Sequence, residues 1–187
     1  PLMNRMSLHP LAADRMVVLD AWKAPQWTLA TCFEFLEQID RPRKTIVLGT
    51  LSDVRGNTRR RYEQTAQAAL AVADRILFVG DEAERVRRLT GPDYDGRLFR
   101  LTDVKAAWEM LSADRLPGEL LYVKGSRADH LERILHAEHA DIACWRYRCG
   151  KRFQGCSFCS ELLGHSIRDW SRASTLPWLT PQQKLPV

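Results

Sequence analysis

The sequence predicts an α/β protein with a doubly wound, mostly parallel, Rossmann-like sheet of five or six strands. Five short runs rich in Val, Ile and Leu recur along the chain, and each ends at a polar or glycine position before a helical stretch. The runs lack strict alternation, which is typical of strands buried on both faces. Parallel strands also need crossover connections, and the helical stretches supply them. The predicted strands are 16–19, 45–48, 76–79, 97–100 and 120–123.

Apolar residues at helical spacing predict five helices between and after these strands. The first begins near Thr28 and ends before Pro42, because proline cannot continue a helix. Residues 1–15 show turn residues and no strong period. The other predicted helices are 58–73, 82–89, one from an N-cap at Thr102 to Leu111, and one that begins near Asp129.

The amino-acid composition and charge limit the classes of protein to which this chain can belong. The chain has 187 residues, of which 45% are hydrophobic and 27% charged, and a net charge of +5. These values are ordinary for a soluble globular protein, and the basic run 59–61 lacks the interleaved aromatics of a nucleic-acid surface. No apolar run reaches the roughly 20 residues that span a bilayer, and the first ten residues lack the layout of a signal peptide. We therefore expect a cytoplasmic protein that binds neither nucleic acid nor membranes.

The character of the chain changes after Asp141, where cysteines, aromatics and basic residues replace the strand–helix alternation. The chain also begins with proline rather than methionine, so we expect a piece of a longer protein. The predicted divisions are 1–15, a segment leading in from a preceding domain; 16–140, the α/β domain; 141–170, a zinc-binding extension with four cysteines; and 171–187, an extended tail.

Two motifs follow predicted strand ends, residues 20–25 after the first strand and residues 124–127 after the fifth. Ligands of parallel sheets bind beyond the carboxyl ends of the strands, so we expect the two motifs to converge on one cleft. Gly125 allows a sharp turn in which N–H groups face an anion. Lys124 and Arg127 would add charge-assisted hydrogen bonds to a phosphate or carboxylate.

A structural interpretation of the same motifs stays open. Ser126 could cap a turn whose charged neighbours are solvated. Asp20 could cap a turn rather than contact a ligand, and Trp22 could belong to the core. Spacing alone does not decide between these alternatives and a ligand site.

From residue 5 to residue 137 the chain resembles the C-terminal domain of the Mur ligase family. In that family the first strand leads into Asp-Ser-Tyr-Asn-Ala-Asn-Pro, and residues 20–25 correspond to it with one residue fewer. A family Val-Leu-Gly-Asp-Met corresponds to residues 47–51, and residues 121–127 resemble Val-Leu-Val-Lys-Gly-Ser-Arg. Within the family, the chain looks like the ligases that attach D-alanyl-D-alanine to the muramyl tripeptide.

The resemblance implies an ATP-dependent enzyme of peptidoglycan and cell-wall synthesis. The family activates a carboxylate as an acyl phosphate, and an incoming amine attacks it to form an amide. A central domain binds ATP and Mg²⁺, and the C-terminal domain closes over it. This sequence has no Gly-x-x-x-x-Gly-Lys-Ser/Thr loop. We therefore expect the partner of this chain to be that central domain, in the same parent protein, and the substrate to be an amino acid or peptide. We expect no turnover by this chain alone and no catalytic residue within it.

The resemblance also assigns candidate binding residues, position by position. The residues of the first motif would approach the ribose and base of the nucleotide or the hinge side of the cleft, and those of the last motif would face the incoming substrate or the closing interface. A threonine and a tyrosine replace a family carboxylate and histidine, which favours a divergent ligase or, alternatively, a non-catalytic module that binds a partner through the sheet edge or the extension. The candidates are Asp20, Trp22, Lys23, Pro25, Thr50, Tyr62, Lys124, Ser126 and Arg127.

Four of the five cysteines crowd into the extension, at Cys144, Cys149, Cys156 and Cys159. Cys156 and Cys159 have the spacing of a metal knuckle, and four thiolates make a closed structural zinc site. An iron–sulfur cluster and reduced structural cysteines are the alternatives. Cys32 lies on the apolar stripe of the first helix and is predicted to be core.

Overall fold

The computed structural model describes residues 4–147, 149–151 and 154–164, which form a sheet with helices on both faces. The predicted tail 171–187 and the end of the extension, 165–170, lie outside the described residues. The strands are β1 (Ser7–Pro10), β2 (Met16–Asp20), β3 (Lys44–Leu48), β4 (Arg75–Val79), β5 (Leu98–Leu101) and β6 (Leu120–Lys124). The α-helices are α1 (Leu29–Glu37), α2 (Thr58–Val72), α3 (Val104–Ala113) and α4 (Arg133–His139).

The sheet has the order β1-β2-β6-β3-β4-β5, and every neighbouring pair except β1–β2 is parallel. Both faces of β2, β3, β4 and β6 are buried, which explains why their sequences lack alternation, whereas the edge strand β5 is only partly buried. On β2, Val18 packs in the core formed with α1 and α2, whereas Val17 and Leu19 pack in the core formed with α3 and α4. The predicted doubly wound α/β class is therefore confirmed. No helix in the part of the chain that the structure describes has the length and apolar character to cross a membrane.

The leading segment contains a strand that its sequence pattern does not predict. β1 pairs antiparallel with β2, from Ser7 opposite Leu19 to Pro10 opposite Met16. Its inward residues are polar: Ser7 Oγ donates to the Leu19 carbonyl at 3.3 Å, and His9 Nε2 lies 2.9 Å from Ser7 Oγ. Because buried polar groups replace the usual apolar ones, the strand carries no hydrophobic signal.

Three predicted helices differ from those observed. The stretch predicted as a third helix is a 3-10 helix, Asp81–Val86. The cap of α3 is Asp103 rather than Thr102, and its side chain accepts a hydrogen bond from the first turn of the helix. The last predicted helix begins instead as a 3-10 turn, Arg127–Asp129, and His130 then adopts a left-handed φ of 53° before α4 starts.

A buried ion network lies at the amino ends of the strands. Glu119 is 0% exposed, and its carboxylate accepts hydrogen bonds from Arg43 (2.9 and 3.0 Å), Thr45 Oγ1 (2.6 Å) and Arg75 (3.1 Å). Asp114, which is exposed, contacts the same two arginines. Buried charges cost free energy unless they are paired, so the network depends on the buried Glu119 carboxylate and on the two arginines that contact it.

His136 is a buried titratable group on α4. It is 0% exposed, and burial lowers its pKa to about 4. Its Nε2 lies 3.1 Å from Ser157 Oγ in the extension. The charged and titratable groups that act on the His136 pKa are Glu132, which raises it, and His139, His9 and Arg133, which lower it.

Acidification should therefore destabilise the protein through His136. The unfolded chain binds this proton near pH 6.5 and the folded chain only near pH 4. Between these values the unfolded state binds more protons, so the free energy of unfolding falls as the pH falls, by up to about 3 kcal/mol. Urea unfolding at pH 7, 6 and 5 should show this slope in the wild type and much less of it in His136→Gln. His139→Gln is the matched control and should keep most of the slope; equal slopes for wild type and His136→Gln would contradict the assignment.

Candidate ligand site at the carboxyl edge of the sheet

The two predicted motifs meet at the carboxyl edge, because β2 and β6 are neighbours. Asp20 and Lys124 stand opposite each other in the register, and the Lys124 ammonium forms an ion pair with Asp20 Oδ2. Lys124 is 3% exposed and Asp20 8% exposed. Lys124 also reaches the Lys23 carbonyl at 3.4 Å, and the Tyr122 hydroxyl donates to Asp20 Oδ2 at 3.4 Å. This buried pair fixes the first motif against β6.

Trp22 and Arg127 form a partly exposed cation–π pair at the rim. The guanidinium carbon of Arg127 lies 3.9 Å from the centroid of the Trp22 ring, and the Arg127 N–H donates to the Trp22 carbonyl at 3.2 Å. Trp22 is 37% exposed, so it is not a core residue. The Nε of Arg127 is buried and has no hydrogen-bond partner within the described part of the chain. Trp22 and Arg127 therefore place an indole ring and a cation together at the rim.

Asp129 joins the loop after β3 to the loop after β6. Its Oδ2 accepts hydrogen bonds from the backbone N–H groups of Thr50 and Ser126, both at 2.8 Å, and its Oδ1 accepts from Thr50 Oγ1 at 2.8 Å. Burial raises the pKa of Asp129, and these donors act in the opposite direction. Sequence reasoning missed this residue; its signal is the capping box formed by Ser126 and the aspartate three residues later.

Two glycines make room for this carboxylate. A Cβ at Gly49 would overlap Asp129 Oδ2, and a Cβ at Gly125 would lie 2.7 Å from Leu131 Cδ1 and 2.9 Å from Asp129 Oδ2. Close approach of the loops, rather than an unusual φ, therefore requires glycine at both positions. The Ser126 hydroxyl accepts from the Ala128 N–H at 3.3 Å, so the capping role considered for this serine is present.

The remaining predicted residues lie at different depths. Tyr62 is 1% exposed, and its hydroxyl accepts from the Leu51 N–H at 2.8 Å. Burial raises the Tyr62 pKa above its ordinary range. Tyr62 therefore supports the loop after β3 from the core, and its predicted part in ligand binding stays a prediction. Pro25 continues the parallel pairing opposite Ser52. Lys23 is exposed and lies 3.0 Å from Asp53, whose pKa its ammonium lowers.

A cleft of about 190 Å³ lies beyond the ends of β3, β4, β5 and β6. No sequence motif predicts it, because its residues come from four separate loops and from the extension. Tyr147 of the extension contacts Asp81 across it, so the extension forms one wall. The charged and polar residues that line it include Thr50, Asp81, Asp103, Asp129, Arg133 and Arg146.

The four cysteines of the extension line one small cavity together, and none forms a disulfide. Arg133 Nε lies 3.2 Å from Cys156 Sγ, and Lys151 Nζ lies 3.4 Å from Cys159 Sγ. Across the described residues, three ligand atoms lie within 4.8 Å of one another in one group only, His130, Glu132 and Cys156. The four sulfurs are thus neighbours of a common cavity but do not themselves meet that spacing.

Comparisons with known proteins place the fold. No family model and no curated protein sequence matches this chain. A MurF ligase from Thermotoga maritima in complex with ADP has a TM-score of 0.60 and 19% identity, over 73% of this chain and 30% of that one. A MurF from Acinetobacter baumannii has a TM-score of 0.61 and 15% identity, over 74% and 30%.

A separately solved domain from Haemophilus ducreyi, assigned to a UDP-N-acetylmuramate:L-alanyl-γ-D-glutamyl-diaminopimelate ligase, has a TM-score of 0.52 and 14% identity, over 72% of this chain and 99% of that one. The chain thus spans about 30% of the length of the MurF ligases and nearly all of the single domain. The sheet described above, with its helices on both faces, therefore has the fold of the Mur ligase C-terminal domain, as the motifs at its edge imply.

Proposed function

We propose that this chain is the C-terminal domain of an ATP-dependent, Mur-type amide ligase and that it closes over a nucleotide held by a central domain of the same protein. The observation that carries the proposal is the convergence of the loops after β2, β3 and β6 at one edge of this fold. The ADP bound in the Thermotoga maritima ligase supports a nucleotide as the shared ligand. ATP and Mg²⁺ would be bound mainly by the central domain.

The proposed reaction forms an amide in two steps. A carboxylate oxygen of one substrate attacks the γ-phosphorus of ATP, and ADP leaves as an acyl phosphate forms. The amine of an amino acid or peptide then attacks the acyl carbon, the phosphate leaves, and the amine loses a proton. Closure of the C-terminal domain would exclude water and hold the amine against the acyl phosphate. The chain alone would not turn over.

The residues of the sheet edge would divide this work. Arg127 and Trp22 stand at the rim, where a cation and an aromatic face can meet phosphate, carboxylate or base. The buried pair of Asp20 and Lys124 would hold the first motif in place, and Asp129 would hold the two later loops together. Contacts from the exposed or half-buried Lys23, Pro25, Thr50 and Ser126 to nucleotide or substrate are part of the same proposal.

The substrate and cellular setting follow from the same assignment. The carboxylate would belong to a peptidoglycan precursor or a related acid. Thr50 and Tyr62 differ from the residues of the family motifs, which accords with altered contacts to the substrate or cofactor. The enzyme would work in the cytoplasm. The division of the chain into four parts, with boundaries after residues 15, 140 and 170, remains the proposal made from sequence.

The proposal is tested by assaying the complete protein that contains this chain. Phosphate release is measured with ATP, Mg²⁺, UDP-N-acetylmuramoyl peptides, and a pool of amino acids and D-alanyl-D-alanine. We expect release that requires both an acid and an amine. Arg127→Ala should lower kcat/KM by about 100-fold, since it removes a positioned cation near the reacting charge.

Arg115→Ala is the matched control for that variant. Its guanidinium lies 5.2 Å from the Trp108 ring, so it is also an arginine over a tryptophan, but it follows α3 at the opposite edge of the sheet. It should leave kcat/KM unchanged. Lys124→Ala is a poorer probe, because it leaves the Asp20 carboxylate buried and unpaired. Absence of ATP-dependent turnover with any pair, or equal losses in Arg127→Ala and Arg115→Ala, would reject the proposal.

A further inference from the structure

The cysteine cluster (Cys144, Cys149, Cys156 and Cys159) surrounds a very small cavity. The space that it encloses is about 10 Å³, which is room for one atom the size of a water oxygen. Three of the four cysteines are buried, and Cys144 is partly buried. Four thiols that face one atom-sized space, without a disulfide among them, have the composition of a metal site rather than of an apolar core.

The charges around the cluster call for negative partners. Arg133 is 2% exposed, and its guanidinium contacts the Cys156 sulfur at 3.2 Å and the Arg146 carbonyl at 3.0 Å. In the described part of the chain it has no carboxylate within 4.0 Å. A buried cation is costly without a paired anion, and a neutral thiol is not one. Lys151 lies 3.4 Å from the Cys159 sulfur and is already paired with Glu161 at 2.6 Å, so Arg133 is the cation that calls for an anionic sulfur.

We propose that the cysteine cluster binds one Zn²⁺ through four thiolates. Four thiolates and one zinc ion carry a net charge of −2, which Arg133 beside Cys156 and Lys151 beside Cys159 would partly offset. Tetrahedral bonds of about 2.3 Å place sulfurs about 3.8 Å apart, so zinc would draw the four side chains inward from their present spacing. A closed thiolate site leaves no position for a reactive water, and the metal is therefore structural.

The neighbouring group of His130, Glu132 and Cys156 has a different explanation. Glu132 Oε1 accepts a hydrogen bond from the Cys156 N–H at 2.8 Å and lies 3.6 Å from His130 Nδ1. His130 Nδ1 lies 3.4 Å from the Cys156 sulfur. These contacts fix the backbone and sulfur of one zinc ligand against the turn that leads into α4, which is the usual task of groups around a metal's direct ligands.

The zinc would also build one wall of the cleft. Arg146 and Tyr147 lie between Cys144 and Cys149, and both line the cleft beyond the sheet edge. Holding two flanking cysteines on one ion would hold this segment in place. Removal of the metal should therefore loosen the cleft wall, while the core between the sheet and helices α1 and α2, which contains no residue of the extension, remains folded.

The test begins with elemental analysis of the purified 187-residue chain, for which we expect about one zinc per molecule. Cys149→Ser and Cys159→Ser should each lose at least about nine-tenths of it. Cys32→Ser, on α1 and outside the cluster, is the matched control and should retain it. Cobalt substitution should produce an intense thiolate-to-metal charge-transfer band in the wild type and in Cys32→Ser only.

A second measurement guards against variants that fail to fold. Titration of the wild type with an organomercurial should release about one zinc for four modified thiols. Hydrogen exchange after chelation should then accelerate in residues 144–149 and not in β3 or β4. Metal-free protein, iron with acid-labile sulfide, loss of zinc from Cys32→Ser, or loss from His130→Ala with retention in Cys149→Ser would each overturn the proposal.

Discussion

Replacing Glu119 with glutamine should lower the free energy of unfolding by about 3–5 kcal/mol, the cost of breaking a buried charge network. Glu119 is 0% exposed, and its oxygens accept hydrogen bonds from Arg43, Thr45 and Arg75. Glutamine keeps the size but offers one oxygen, and its amide N–H₂ would face guanidinium donors. Urea denaturation of wild type and variant at pH 7 measures the difference.

Asp114→Asn is the control for Glu119→Gln, since Asp114 contacts the same two arginines. Its side chain is 59% exposed, so water screens the pair and replaces the lost partner. Its loss of stability should be much smaller. Equal losses from the two variants would mean that burial of the carboxylate is not what makes the network costly to break.

The parallel strands could be predicted because their signal is local. The four inner parallel strands are short apolar runs, and burial on both faces leaves each run largely uninterrupted, as Val17 and Val18 show on β2. β1 could not be predicted, since its inward Ser7 and His9 are polar and are satisfied by contacts with each other and with β2. The 3-10 turn before α4 was likewise hidden, because apolar spacing continues through His130 although its backbone turns left-handed.

Some features of the carboxyl edge of the sheet could likewise be predicted from sequence, and others could not. The meeting of the motifs at Asp20 and Lys124 follows from one rule about parallel sheets, and the strand order confirms it. The stacking of Arg127 on Trp22 and the bridge made by Asp129 depend on side-chain geometry across loops that lie far apart in sequence. The cleft needs four loop ends and the extension at once. Patterns along the chain carry no information of that kind.

Replacing Asp129 with asparagine should disorder the junction between the loops after β3 and β6. Three donors, two backbone N–H groups and one hydroxyl, surround its carboxylate. Asparagine presents an N–H₂ group to at least one of them and removes the charge that strengthens the remaining hydrogen bonds, at a cost of about 1–3 kcal/mol in stability. If the proposed ligase function holds, misplacement of these loops by about 1 Å should lower kcat/KM about 100-fold.

Asp103→Asn is the stability control for Asp129→Asn. Asp103 accepts one backbone hydrogen bond at the N-cap of α3, where asparagine caps equally well. Its variant should change the free energy of unfolding little. Unfolding in urea measures the free energy of unfolding of both variants. Equal losses of stability would mean that removal of a negative charge, rather than of the Asp129 hydrogen bonds, causes the effect.

Gly49→Ala tests the same junction from the opposite side. The added methyl group would overlap Asp129 Oδ2, so it should displace the carboxylate that Asp129→Asn alters chemically. Because both changes act on one contact, the double variant should lose much less stability than the sum of the two single losses. Additive losses would show that Gly49 and Asp129 serve separate functions. Strongly non-additive losses of stability would show that Gly49 and Asp129 act together to join the loops after β3 and β6 at the carboxyl edge of the sheet.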